Sequence, residues 1–249
     1  MVICGNSKAA PELVNSKTWV LWDMDSCPVP DGYDARRVRP SIESALKNLG
    51  YMGPVTISAM GNLEKIPSQV LQGLSSTGIA VKHCLSEAVD RHFYNDISEF
   101  KSLNPPPATI MIISDKVESE MTPDLCRSQQ IRCGYNLVLA SIYPTRGHVS
   151  SYLHTTAEWL WETMLGADQQ ETRSFVLHKC TESGKSTPLF CGSCNFTAPS
   201  VTNLTRHLSS KKHKRAEIQM VESMKPDPAL NYWDEHPKGK ASFNISSYL

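Results

Sequence analysis

The chain has no surplus of either charge: lysine and arginine together number 25, and so do aspartate and glutamate. Global charge therefore draws in no polyanion, and any nucleic-acid surface must be local. Nowhere do 18 apolar residues run together, so no segment is built to cross a bilayer as a helix. The opening MVICGNSKAAPELV has no basic stretch ahead of a long apolar one. The expectation is an intracellular protein, cytoplasmic or nuclear. A Gly-rich phosphate loop, an internal repeat and the local signature of a Ser, His or Cys nucleophile are all missing. Of the eight cysteines, those at 4, 27, 84, 126, 133 and 180 have no motif spacing and are scattered, as reduced core thiols are.

What is present is a globular composition, 40 % apolar over 249 residues, enough for one medium domain and one small one. Thr18 to Trp22, Val55 to Met60, Ile79 to Cys84, Thr109 to Ile113 and Leu137 to Tyr143 are β-like apolar runs. Between them, Val38, Ile42, Ala45, Leu46 and Leu49 recur at helical spacing and stop at Gly50. Further helices are expected around 67–75, 90–102, 118–132 and 149–165. Alternating β and α segments with near-continuous apolar strands predict an α/β fold: a parallel sheet with helices on both faces. The first domain is expected at 17–165. A polar linker then spans 166–188, a small module 189–222, and a mostly disordered tail 223–249.

The small module is defined by Cys191 and Cys194, then His207 after twelve residues and His213 after five more. Two thiolates and two imidazoles suit tetrahedral zinc, and the long spacer lets the chain reverse and offer both histidines from a helix. Phe190 and Leu204 are the candidates for its small core. So little surface is buried that the ion should supply the folding energy. Lys211, Lys212, Lys214 and Arg215 surround the last ligand and form a phosphate-contacting surface by type. A solvated helix end is the plain alternative.

A second constellation is acidic. Asp23 directly follows the first strand, Asp115 follows the strand beginning at Thr109, and Asp90 and Asp96 lie on the helix between. Acids gathered at the carboxyl ends of parallel strands would make an oxygen-lined site for Mg²⁺ or Mn²⁺. Helix caps and turns are the alternative use of each. Arg36, Arg37 and Arg39 could guide a phosphate backbone or simply face water. Trp159 and Trp161 read as helix packing.

Two resemblances sharpen this. FCGSCNFTAPSVTNLTRHLSSKKHKR resembles the matrin-like and double-stranded-RNA-binding zinc fingers, which share the five-residue histidine spacing and the H-L-x-x-K-K-H-K ending. It implies RNA, including double-stranded RNA, read through backbone shape. WDMDSCPVP is similar to the opening motif of NYN domains, a branch of the PIN-like nucleases, whose usual form is W-D-I-E-N-C-x-V-P. Asp90-Arg-His-Phe-Tyr-Asn-Asp96 and the stretch ending Ile-Ile-Ser114-Asp115 match that family's second and third motifs. The order of domains looks like plant relatives of limkain, which implies regulation of gene expression and possible peroxisome association, although Ser247-Tyr248-Leu249 only echoes a peroxisomal signal. The resemblance implies a Mg²⁺- or Mn²⁺-dependent endoribonuclease with Asp23, Asp96 and Asp115 catalytic and Asp90 a fourth ligand. Ser26 replaces the usual asparagine. The third motif, normally I-S-G-D-x-D-F, lacks its glycine and has Val117 at the second aspartate, with Glu118 and Glu120 the nearest substitutes. The alternative is a weak or inert RNA-binding regulator that retains the fold.

Overall fold

A computed structural model describes residues 6–117, 121, 125, 134–144, 153–166 and 187–224. Among these residues eight strands form one sheet in the order β6-β5-β4-β1-β2-β3-β7-β8. They are β1 (Thr18–Asp23), β2 (Val55–Gly61), β3 (Ala80–His83), β4 (Ala108–Ile113), β5 (Tyr135–Ser141), β6 (Thr155–Leu160), β7 (Leu189–Cys191) and β8 (Phe196–Ala198). All neighbouring pairs are parallel except β7 and β8. The central strand β1 is buried along its whole length, which is why its sequence reads as an unbroken apolar run.

Strand geometry sends alternate side chains of β1 to opposite faces. Val20 and Trp22 enter one apolar cluster, with Val38, Ile42 and Leu46 of α1 (Val38–Asn48) and Leu71 and Leu74 of α2 (Ser68–Ser76). Trp19 and Leu21 enter the other, with Val89, Phe93 and Ile97 of α3 (Val89–Leu103). The four-residue spacing in α1 and α3 puts those residues on one helical stripe each. The chain leaves α1 through Gly50 at φ 91°, a left-handed conformation that suits glycine.

Between residues 149 and 165 the expected helix is corrected. The described part begins with the edge strand β6 (Thr155–Leu160), and only α4 (Trp161–Gly166) is helical. Two threonines and Trp159 favour a pleated, half-buried strand against β5 over a helix. Trp161 is buried, with its ring centroid 5.1 Å from that of Trp22. The indoles donate to the carbonyls of Cys27 (from Trp22) and Pro28 (from Trp161), both at 2.7 Å, so they pin the loop that follows Asp23.

The C-terminal segment is not a free-standing unit. β7 adds in parallel to the edge strand β3, pairing Cys191 with His83, and turns back through β8. α5 (Val201–Leu208) and α6 (Lys211–Met224) follow. Leu189 and Leu204 fill the core here. Phe190 is only half-buried, because strand alternation turns it away from Leu189 and Cys191. The expected helix at 118–132 lies outside the described residues except at 121 and 125. The acids Glu118 and Glu120, nearly all of the expected linker, and the tail beyond 224 also lie outside them.

Candidate acidic site and metal centre

The chain runs β1, β2, β3 to one side of β1, then crosses by α3 to β4 on the other. The crevice between the carboxyl ends of β1 and β4 is thus the topological switch point, where open parallel sheets place their sites. Asp23 ends β1 and is fully buried. Its Oδ1 accepts from the backbone N–H of Asp25 at 3.0 Å and of Ser26 at 3.3 Å. Its Oδ2 accepts from the hydroxyls of Ser26 at 2.8 Å and Ser114 at 3.1 Å. Four donors satisfy this buried carboxylate without a cation.

Asp115 stands beside it. Its N–H donates to Ser26 Oγ at 3.2 Å, and its Oδ1 accepts from the N–H of Ile142 at 2.7 Å. Ser26 therefore ties the ends of β1 and β4 together. Asp25, not counted among the ligands from sequence, reaches over the end of β2 to accept from Asn62 N–H at 3.0 Å. Gly61 allows this approach, since a Cβ there would lie 2.9 Å from Asp25 Oδ1. The Cys27 thiol beneath these acids is pushed up to about 12, by burial first and then by the charge of Asp115.

Asp96 and Asp90 are placed differently. Asp96 accepts from the Lys82 ammonium at 3.0 Å, so it already has a cation. Asp90 is exposed on another side of α3 and lines a separate cleft with Arg91, Phe93 and Tyr94. Six residues advance a helix by about 600°, which leaves the two acids some 120° apart. Among the described residues two groups bring three or more metal-ligating atoms within 4.8 Å of one another, and neither contains Asp23, Asp90, Asp96 or Asp115. The acids as arranged do not fit one shared Mg²⁺ or Mn²⁺. Val117 belongs to the apolar cluster with Val89 and Phe93, so it is core rather than pocket wall.

The arginines near the first motif are structural. Arg36 pairs with Asp34 at 2.7 Å, and Arg37 lies over the Tyr33 ring. Arg39 joins Glu43 to the carbonyls of Val55 and Gly78.

The larger of the two groups is Cys191, Cys194, His207 and His213. An unbroken helix would turn positions 207 and 213 to different faces, because six residues overshoot the turn. Instead the helix breaks at Ser209 and Ser210, and Ser210 Oγ accepts from the His213 N–H at 3.1 Å to start α6. His213 Nδ1 then lies 3.6 Å from Cys191 Sγ and 3.4 Å from Cys194 Sγ. Zn–S and Zn–N bonds meeting at a tetrahedral angle separate their outer atoms by about 3.5 Å. His207 stacks on Phe196 at 4.3 Å, and its Nε2 is buried without a hydrogen-bond partner. Donor set, spacing and the orphaned nitrogen all fit zinc.

The second group, His83, His213 and Glu217, extends the first through their shared His213. His83 Nδ1 accepts from Leu63 N–H at 3.1 Å, so the neutral ring carries its proton on Nε2, 2.8 Å from Glu217 Oε1. Burial lowers the His83 pKa, with Glu217 opposing that shift. His213 Nε2 is 3.2 Å from the same oxygen, in contact but without an aligned hydrogen bond. Neither His83 nor Glu217 carried any sequence signal. His83 ends an ordinary strand, and Glu217 is one more acid on a polar helix.

A parallel sheet of this order, with acids at its switch point, is consistent with a PIN-like or Rossmann-like α/β fold. The NYN domain family model matches residues 17–158, and the chain belongs to that family. No curated protein matches the chain. Among the described residues, no helix is long and apolar enough to cross a membrane.

Proposed function

We propose that this protein is an RNA-binding regulator of gene expression that keeps the NYN nuclease fold with little or no cleavage of its RNA. The observation that carries the reading is the Lys82–Asp96 pair, which places a protein cation on an acid that the nuclease reading needs for its metal. The saturated Asp23 and the core position of Val117 point the same way.

In this reading residues 17–165 form the NYN unit and 189–222 a zinc finger. The zinc, held by Cys191, Cys194, His207 and His213, supplies folding energy rather than chemistry. Lys211, Lys212, Lys214 and Arg215 are all exposed on the first turns of α6 and meet RNA phosphates. Their spacing along one helix suits the backbone of a duplex better than base edges. Binding of labelled duplex RNA to the full chain, with and without a strong zinc chelator, tests this. Affinity should collapse on chelation, and undiminished binding would contradict the reading.

A second reading, the Mg²⁺- or Mn²⁺-dependent endoribonuclease, is favoured by one observation. Asp23 and Asp115 stand together at the switch point, joined through Ser26. Cleavage that Asp23→Asn abolishes would establish it.

A further inference from the structure

His83 and Glu217 are 134 residues apart in sequence, yet their side chains meet at 2.8 Å beside a metal ligand. The contact is one of several that seat the ligand segment on the NYN sheet. β7 pairs Cys191 directly with His83. The N–H of Gly192, next in the knuckle, donates to the His83 carbonyl at 2.8 Å. A Cβ on Gly192 would lie 3.1 Å from that oxygen and 3.2 Å from His92 Cε1 of α3, so the knuckle approaches the sheet as closely as a glycine permits. His83 is itself held by the NYN fold, through Leu63 just beyond β2.

We propose that His83 and Glu217 form the outer sphere of the zinc centre, so that the NYN domain sets the zinc affinity and the ion in turn fastens β7 and α6 to the sheet edge. The inference rests on reading the four ligands as a zinc site. Its chemistry is that of a ligand imidazole backed by a carboxylate. A carboxylate at the distal ring nitrogen fixes the ring's orientation and raises its basicity, and removing such a partner weakens metal binding about 10–100-fold. The Glu217 carboxylate stands 3.2 Å from that nitrogen of His213, close enough to accept its N–H hydrogen bond once a metal fixes the ring, and the His83 N–H holds Glu217 there at 2.8 Å. In an autonomous finger no residue of β3 would matter to the ion. Here the metal centre is composite, and the finger is a fixed extension of the sheet.

The test uses the full chain and zinc itself, in competition with a chromophoric chelator. Glu217→Ala should weaken zinc binding about 10–100-fold. Glu222→Ala removes the same charge from an exposed site on the same helix and should leave the affinity unchanged. His83→Gln, which reads the sheet side, should shift it in the same direction as Glu217→Ala. Cobalt substitution gives a second readout: the tetrahedral absorption should persist in Glu217→Ala, showing that the four ligands remain. Finally, chelation should lower the unfolding midpoint of the NYN core, followed by tryptophan fluorescence, and lower it less in Glu217→Ala. Wild-type zinc affinity in both Glu217→Ala and His83→Gln, or an NYN midpoint indifferent to chelation, would overturn the composite centre alone. A wild-type chain that takes up no zinc would overturn the finger reading and this inference with it.

Discussion

Lys82 Nζ lies 3.0 Å from Asp96 Oδ1, with only 21 % and 20 % of the two side chains exposed. The pair places a cation of the protein's own on one of the acids that a nuclease of this family would use for its metal. A converged, unpaired acid cluster would bind Mg²⁺ to relieve its own repulsion and gain about 2.7 kcal/mol of stability at a hundredfold excess over Kd. Thermal unfolding of the zinc-loaded chain with and without millimolar Mg²⁺, no chelator being present in either sample, should therefore give the same midpoint. A rise of several degrees with Mg²⁺ would mean that the acids do share an ion.

Ser26 carries a structural role that its replacement would expose. Its hydroxyl serves Asp23, Asp115 and Ser114 at once, on the ends of two neighbouring strands. Ser26→Ala should cost about 1–3 kcal/mol, since the buried Asp23 carboxylate loses a donor that nothing replaces. Urea denaturation measures it; a loss under half a kcal/mol would show that the contact is dispensable.

Much of this fold is legible in the sequence. The runs at Thr18 and Thr109 are strands buried on both faces, which makes their apolar pattern continuous and hard to miss, while the run at Val55 is partly exposed at its start and continuously buried only from Ala59 to Gly61. The α1 and α3 stripes read equally well. The segment at 155–160 misled because two threonines, one tryptophan and a leucine fit either period over so short a stretch. The grouping of Cys191, Cys194, His207 and His213 was legible because their spacing is a local property. The partners of that site were not: which residue of β3 faces Glu217 depends on β7 joining the sheet edge, a long-range pairing with no local mark. The same holds for Lys82. A lysine in a strand gives no hint that it will face Asp96.

The finger cations should act through phosphates alone. Replacing Lys211, Lys212, Lys214 and Arg215 by alanine should weaken RNA binding and flatten the slope of log affinity against log salt. The order of preference among sequences should be left intact. Titrations at four salt concentrations decide it, and an unchanged slope would place these residues away from the RNA.

Cys27 should be chemically silent. Burial and the nearby Asp115 push its pKa up to about 12, so almost no thiolate exists at pH 8, whereas an unfolded cysteine near 8.5 is about a quarter ionised. Alkylation of the folded chain at pH 8, mapped by peptide mass, should leave Cys27 unmodified until denaturant is added. Rapid labelling in the native state would show that the floor of the acidic crevice is open.

Zinc removal should act locally first. Chelation should abolish the helical signal of α5 and α6, whose core amounts to little more than Leu189, Leu204 and Leu208 around the ligands. Circular dichroism before and after chelation reads this directly, and an unchanged spectrum would deny the ion its structural role.

In the proposed function this NYN fold binds RNA without cutting it. The most direct measurement incubates one end-labelled RNA with the zinc-loaded chain in millimolar Mn²⁺ and follows retardation and cleavage in the same samples. The RNA should be retarded and intact, identically for wild type and Asp23→Asn. Cleavage products that appear with wild type and vanish with Asp23→Asn would contradict that reading and establish the acids at the ends of β1 and β4 as an active site.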